Sequence, residues 1–141
     1  MKKQKPIGIN HIALKVDDVD KALEFYGKFL DFEIIERTPG HAEIGLGDQF
    51  IAFEDNNAPD PEAHFGLVVE NKEAFKRALE ESSVEIVGSR LDFKDPWGNR
   101  VQIVQYDQIQ FSKTDNVLKG MGLKLDKTQE ATDELKSKGL A

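Results

Sequence analysis

Asn10-His11-Ile12-Ala13-Leu14-Lys15-Val16 and Ala63-His64-Phe65-Gly66-Leu67-Val68-Val69 are the two stretches from which the architecture follows. The first carries Ile12, Leu14 and Val16 on one face, the second Phe65, Leu67 and Val69. That alternation is the period of a strand with one face on a core. Each stretch runs directly into a helical pattern. Asp17 or Asp18 caps the first helix, which places Val19, Leu23, Tyr26 and Leu30 on one stripe. Asn71 caps the second, with Ala74, Phe75, Ala78 and Leu79 on its stripe. The chain is therefore an internal repeat, and each copy opens as strand then helix.

The remainder of each copy is strand-forming. A β-prone run follows each helix, at 32–36 and 84–87, and a hairpin closes each half. In the first half, 41–46 and 50–54 flank Gly47-Asp48; in the second, 91–94 and 100–106 flank Asp95-Pro96-Trp97-Gly98-Asn99. Pro96 presets φ in that turn and Gly98 supplies a left-handed position. Trp97 is expected to cover an edge of the core. A polar, proline-punctuated linker at 55–62 joins the halves. The order is β-α-β-β-β, linker, β-α-β-β-β.

After Phe111 the pattern turns helical, at 114–121 and again at 126–138, where Asp126 is the cap and Gln129 stands three residues on. The apolar stripes there are thin (Val117, Leu118, Met121; Leu125, Ala131, Leu135). This tail is expected to pack on the body, with exchange between subunits or partner binding as the alternative.

Composition narrows the function classes. With 141 residues, 39% hydrophobic and 32% charged, the chain reads as one globular domain. No apolar run approaches the roughly 20 residues of a spanning helix, so no membrane role is expected. Met1-Lys2-Lys3-Gln4-Lys5-Pro6 is basic, but no apolar segment follows it as in a signal peptide. The lack of cysteine removes disulfide and thiolate chemistry, and a cytoplasmic location is the expectation. With 26 acidic against 19 basic side chains, the net charge of −7 argues against a nucleic-acid partner. Lys2, Lys3 and Lys5 read as a solvated end.

Alternation also decides what faces away from the helices. His11, Ala13 and Lys15 share that face in the first strand, and His64, Gly66 and Val68 in its repeat. Ala52 and Glu54 join them from one closing strand, Gln102, Val104 and Tyr106 from the other. Two histidines at matching repeat positions thus share the non-helix face, and pairing the halves encloses them in a pocket. His41, just after Thr38-Pro39-Gly40, is expected at an exposed hairpin start.

Asn10-His11-Ile12-Ala13-Leu14-Lys15-Val16-Asp17-Asp18, His64-Phe65-Gly66-Leu67-Val68-Val69 and Phe93-Lys94-Asp95-Pro96-Trp97-Gly98-Asn99-Arg100-Val101-Gln102-Ile103 together resemble the vicinal oxygen chelate superfamily. That group includes glyoxalase I, extradiol dioxygenases, and fosfomycin- and bleomycin-resistance proteins. The resemblance covers Ile9 to Tyr106 and implies an α+β fold. Two paired βαβββ modules would form a curved mixed sheet around a central cavity, with a helical C-terminal tail. The corresponding division is a glyoxalase-like domain at 1–108 (modules 7–55 and 63–107) and an extension at 109–141.

In metal-dependent members, ligands come from the first strand of each module and the last strand of one or both. The matching positions here are His11 and Ala52, His64 and Gln102. The family usually has Glu at the position of Gln102, and glyoxalases also at that of Ala52, so both carboxylates are missing. The resemblance implies weak binding of a divalent ion (Zn²⁺, Ni²⁺, Mn²⁺ or Fe²⁺) by His11, His64 and Gln102, with Zn²⁺ and Ni²⁺ losing least from the lost charge. It further implies a small oxygen-bearing substrate, lyase, isomerase or dioxygenase chemistry, and a homodimer. Glu54 and Tyr106 are the candidate catalytic groups, Glu54 as a base about 6.8 Å along the strand from position 52 and Tyr106 as a donor to a bound oxygen. The competing reading is a non-catalytic protein of the bleomycin-resistance type that binds an antibiotic or other hydrophobic ligand. The missing carboxylates and the lack of an evident base favour that reading; the retained pair of histidines favours the ion.

Overall fold

The computed structural model describes residues 3–141; Lys2 of the basic N-terminal end lies outside the described residues. Each module opens with a strand that leads into a capped helix. Asp18 accepts from Lys21 N and Asn71 from Ala74 N, both at 2.9 Å, satisfying backbone donors that a helix start leaves free. The first module comprises β1 (Gly8–Lys15), α1 (Val19–Gly27), β2 (Ile34–Thr38), β3 (His41–Leu46) and β4 (Gln49–Glu54). The second comprises β5 (His64–Val69), α2 (Lys72–Glu81), β6 (Ile86–Val87), β7 (Asp92–Lys94) and β8 (Arg100–Gln105). A 3-10 turn (Tyr106–Gln108), α3 (Asp115–Gly120) and α4 (Gln129–Ser137) complete the chain.

All eight strands form one mixed sheet in the order β2-β3-β4-β1-β5-β8-β7-β6. Within each module the first strand lies parallel to the last, and the modules join through the antiparallel pair β1 and β5. Helix α1 covers Ala42, Ile44 and Phe53 on the outer face; Leu79 of α2 packs with Leu91, Val101 and Ile103. Burial of each of these larger apolar side chains contributes about 1.5–3 kcal/mol before conformational entropy is counted.

The outer face departs from simple alternation at one place. In the β1–β5 ladder Ile9 pairs with Leu67 and His11 with Gly66, which leaves Asn10 as an extra, bulged residue. The bulge puts Asn10 and His11 together on the inner face, both buried. Ile9 and Ile12 then face outward, each 43% exposed. Ile12 was expected beneath α1. Helices α1 and α2 instead sit over β4 and β8, and the central seam between them stays open.

The tail packs on the inner face. Ile7, Val68, Tyr106, Phe111 and Leu118 form a third apolar cluster, so Val68 is buried by the extension rather than lining a pocket. Lys127 fastens it: its Nζ donates to Tyr106 O and Phe111 O and lies 3.4 Å from the centre of the Tyr106 ring. Burial lowers the Lys127 pKa to about 8. The cap of α4 is Thr128, not Asp126; its hydroxyl accepts from Ala131 N at 3.2 Å. The chain spends 122–128 crossing to its docking place before the helix begins. Trp97 is 83% exposed and covers no core edge; its turn is closed around Asp95, whose carboxylate accepts from Trp97 N and Asn99 N and whose carbonyl accepts from Gly98 N.

Gly66 is what lets the bulge close against β5. A Cβ there would overlap Asn10 Oδ1 and His11 Nδ1. Gly66→Ala is expected to lower the unfolding free energy by about 1–3 kcal/mol in chemical denaturation, as overpacking does. An unchanged midpoint would show that the bulge yields without cost.

Candidate functional site

Alternation brings four of the expected residues to one cavity of about 510 Å³: His11 from β1, His64 from β5, Gln102 from β8 and Glu54 from β4. Ala52 also lines it, as the β1–β4 register of Ala13 with Ala52 requires, so this wall offers no ligand at that position. The His11 and His64 rings meet edge to face with centres 5.3 Å apart. His11 is 5% exposed and stacked on Phe50 at 4.7 Å.

Each imidazole is oriented by an oxygen. His64 Nδ1 lies 3.0 Å from the Glu62 backbone carbonyl, which only accepts, so Nδ1 carries the proton. His11 Nδ1 donates in the same way to Asn10 Oδ1 at 2.8 Å. In the neutral form of either ring the lone pair therefore resides on Nε2. Burial above all, then the charges of His64 and Arg90, lowers the His11 pKa to about 4, only partly offset by the neighbouring Gln102 amide. His11 is neutral at physiological pH.

These residues fit a divalent ion on three counts. Fixing Nδ1–H to an oxygen is how proteins orient metal-binding histidines. With bonds of about 2.1 Å, two rings on one tetrahedral ion have centres roughly 5 Å apart, close to the separation seen. Gln102, 8% exposed, holds its Oε1 buried with no hydrogen-bond partner. A buried acceptor left unpaired costs about 1–3 kcal/mol, which an electrophile on the cavity side would relieve. The set is two nitrogens and a neutral oxygen, without a carboxylate.

A proton-holding cluster faces this trio. His41 lines the cavity rather than projecting from a hairpin start, because β3 pairs with β4 and sets His41 opposite Glu54. Its Nδ1 donates to Glu54 Oε1 at 2.5 Å and its Nε2 to Glu43 Oε2 at 2.8 Å, with Glu36 Oε2 3.5 Å away. Burial depresses the His41 pKa, but the hydrogen bonds and charges of Glu43 and Glu54 outweigh it, and the net shift is upward. Glu54 is 6% exposed and its pKa is raised by burial against the opposing pull of His41. Glu43 is raised by burial and by its bond with Glu36, whose own pKa that bond lowers. Glu36, His41 and Glu43 bring one nitrogen and two carboxylate oxygens within 4.8 Å of one another. In the charged form of His41 both ring nitrogens carry protons, so an ion bound there would have to displace one.

Tyr106 is not on this wall. Strand β8 ends at Gln105, and the 3-10 turn carries Tyr106 into the tail cluster, 4% exposed, where its hydroxyl accepts from Lys113 N at 3.2 Å. Sequence reasoning missed Asn10, Glu36 and Glu43. The period-two pattern of β3 placed Glu43 beside His41, but nothing local said that this face turned inward.

Opposite pH dependences follow for the two imidazoles in metal-free protein. His11 titrates near pH 4, so as pH falls from 6.5 the unfolded chain takes up a proton that the folded chain refuses; stability drops by on the order of 3 kcal/mol across that window. His41 stabilises below pH 6.5, and its contribution is lost as pH rises through its raised folded value. Denaturation midpoints against pH for His11→Asn check the first: a retained acid-side loss would remove His11 as its source.

A profile of the Glyoxalase/Bleomycin resistance protein/Dioxygenase superfamily matches residues 8–103, well over half of the chain. No curated protein sequence matches it. Among solved structures, methylmalonyl-CoA epimerase from Mycobacterium tuberculosis is 18% identical with a TM-score of 0.55, covering 74% of this chain and 91% of its own. The Mn(II)-bound glyoxalase from Novosphingobium aromaticivorans is 13% identical with a TM-score of 0.58, over 73% of this chain but 40% of its own. The 2,3-dioxygenase LapB from Pseudomonas sp. KL28 is 18% identical with a TM-score of 0.55, over 72% and 43%. At such identities these likenesses carry the fold and not the reaction. The duplicated βαβββ sheet and the profile match agree: this chain belongs to the Glyoxalase/Bleomycin resistance protein/Dioxygenase superfamily.

Proposed function

We propose that this protein binds a divalent ion through Nε2 of His11, Nε2 of His64 and Oε1 of Gln102, and transfers a proton on a small oxygen-bearing substrate in the same cavity. The observation that carries this reading is the paired orientation of the two imidazoles, each with Nδ1–H held by an oxygen and both rings converging at 5.3 Å. A bound divalent ion supplies Lewis acidity, stabilising negative charge that develops on a substrate oxygen.

The chain's own groups supply the proton chemistry. Glu54 and Glu43 are carboxyls whose pKa values are raised, which moves them toward the range where an acid–base group works at neutral pH. His41 bridges them through its two ring nitrogens, so a proton taken at one carboxylate has a hydrogen-bonded route to the other. Glu36 at the cluster's edge, half exposed, connects that route to solvent. Phe50 stacked on His11 excludes water from the ring face and keeps the imidazole from tilting. Tyr106 takes no part in the proposed chemistry; it anchors the extension. The carboxylate–imidazole cluster favours proton transfer over simple ligand sequestration, which needs no shared proton. The lyase or isomerase branch of the family is the better match than ring cleavage for the same reason.

The neutral Gln102 leaves the ion one charge short of the usual site and makes binding weak. Metal analysis and calorimetry with Zn²⁺, Ni²⁺, Mn²⁺ and Fe²⁺ are expected to show one ion per chain, lost in His64→Ala. Gln102→Glu should tighten binding by on the order of tenfold or more, since affinity follows ligand charge. Wild-type protein that takes up none of the four ions would end this reading.

A further inference from the structure

Among the described residues, two buried side-chain oxygens lack a hydrogen-bond partner, Gln102 Oε1 and Asp92 Oδ1. They belong to residues directly opposite each other, since β7 pairs with β8 in a register that sets Asp92 against Gln102. Side chains at such positions stand on one face of the sheet, with Cβ atoms about 4.5–5.5 Å apart. Two acceptors so placed cannot satisfy each other. Gln102 lines the histidine cavity; Asp92, one strand further out, is fully buried and does not.

Asp92 is held from its other oxygen. Arg100 Nε donates to Asp92 Oδ2 at 2.8 Å, and the same guanidinium donates to the two oxygens of Asp60 at 2.8 and 2.9 Å. This fork fixes the plane of the buried carboxylate and compensates its charge. A carboxylate anchored at one oxygen and unpaired at the other calls for a donor. The residue opposite carries one: the Gln102 amide has N–H donors on Nε2 and an acceptor in Oε1. The two ends of an amide point apart, so an N–H given to Asp92 turns Oε1 away from it. On the far side the amide neighbours His11, whose neutral ring has its own acceptor in Nε2. Which of the two receives the N–H decides whether Gln102 presents oxygen or hydrogen to the cavity.

We propose that Asp92 is a positioning residue for the ion site: its Oδ1 accepts from Gln102 Nε2, so that Oε1 faces His11 and His64. The ion rests on the reading given above; the contact between Asp92 and Gln102 does not. The carboxylate that the ligand set lacks then stands directly behind the amide. Accepting its N–H leaves Oε1 more negative, as partners behind a ligand do for the ligands they hold. The same contact gives a reason for an amide at position 102. A glutamate there would set a second buried carboxylate against Asp92, whereas glutamine offers a donor on one side and an oxygen on the other.

Reversing the polarity of the pair in the full chain tests this. Asp92→Asn keeps an oxygen for Arg100 Nε and turns an N–H donor toward Gln102, which must then give Oε1 to that donor and its own N–H to the cavity. Calorimetry with Zn²⁺ and Ni²⁺ is expected to show affinity lower by about 10–100-fold. With Gln102→Glu added, one carboxylate oxygen takes the new N–H and the other faces the cavity. The double variant should bind within about threefold of Gln102→Glu alone, a repair that a merely structural loss at position 92 would not allow. Urea denaturation of the metal-free proteins at neutral pH reads the contact without any ion. Gln102→Glu is expected to lower the midpoint where Asp92 is present and to raise it in Asp92→Asn. Should Asp92→Asn alone not fold, folding of the double variant is the same rescue. The proposal is overturned if Asp92→Asn binds both ions as tightly as the wild type, or if the two substitutions act additively on affinity and midpoint. Ion uptake by the wild type with additive midpoints rejects Asp92 and keeps the ion. No uptake of either ion with midpoints that still reverse rejects the ion reading, and Asp92's role toward an ion with it, and keeps only the contact.

Discussion

The contact between β1 and β5 is the constraint on which the site depends. Each module alone offers one histidine on a half-buried strand. Joining them edge to edge puts His11 opposite Gly66, two residues along β5 from His64, and the rings then meet. The join carries an extra residue, and the bulge rotates Asn10 inward where it holds His11 Nδ1. Only a residue without a side chain fits at position 66, since a Cβ would occupy the space of Asn10 and His11. A glycine on one strand, a bulge on the other and an oriented imidazole between them are one device.

The two sides of the cavity handle protons in opposite ways. On the β1–β5–β8 side, burial and a second imidazole keep His11 neutral and its lone pair free. On the β3–β4 side, carboxylates on both ring nitrogens raise the His41 pKa. Desolvation acts on both histidines in the same direction, so the neighbours decide the outcome. The carboxyls opposite His41 are themselves raised by burial, which favours their protonated form. Two imidazoles and an amide thus line the same cavity as a carboxylate–imidazole cluster, built from two repeats of one module.

Much of this was legible along the chain because strands alternate. The inward positions of His11, His64, Gln102 and Glu54 follow from the apolar faces of their own strands, and the caps Asp18 and Asn71 follow from the patterns they precede. Local pattern misled where an element ended or met another. Tyr106 continues the alternation of β8 in sequence, but the strand stops one residue earlier. Ile12 is apolar on the helix-facing side, but neither helix reaches it. His41 follows a turn and looks exposed until β4 is laid beside it. Asp126 is a good cap, yet Thr128 is where the docked helix starts.

The amino-acid sequence by itself determined the duplication, the α+β class and the short roll of histidines and amides available for chemistry, because periods of two and 3.6 are local properties of the chain. The tertiary structure alone decided which acids join them. Glu36, Glu43 and Glu54 come within reach of His41 only when β2, β3 and β4 pair side by side, and the tail is fastened only when Lys127 docks it over Tyr106. Pairing and desolvation are properties of neighbours in space, and no spacing along a single strand contains them.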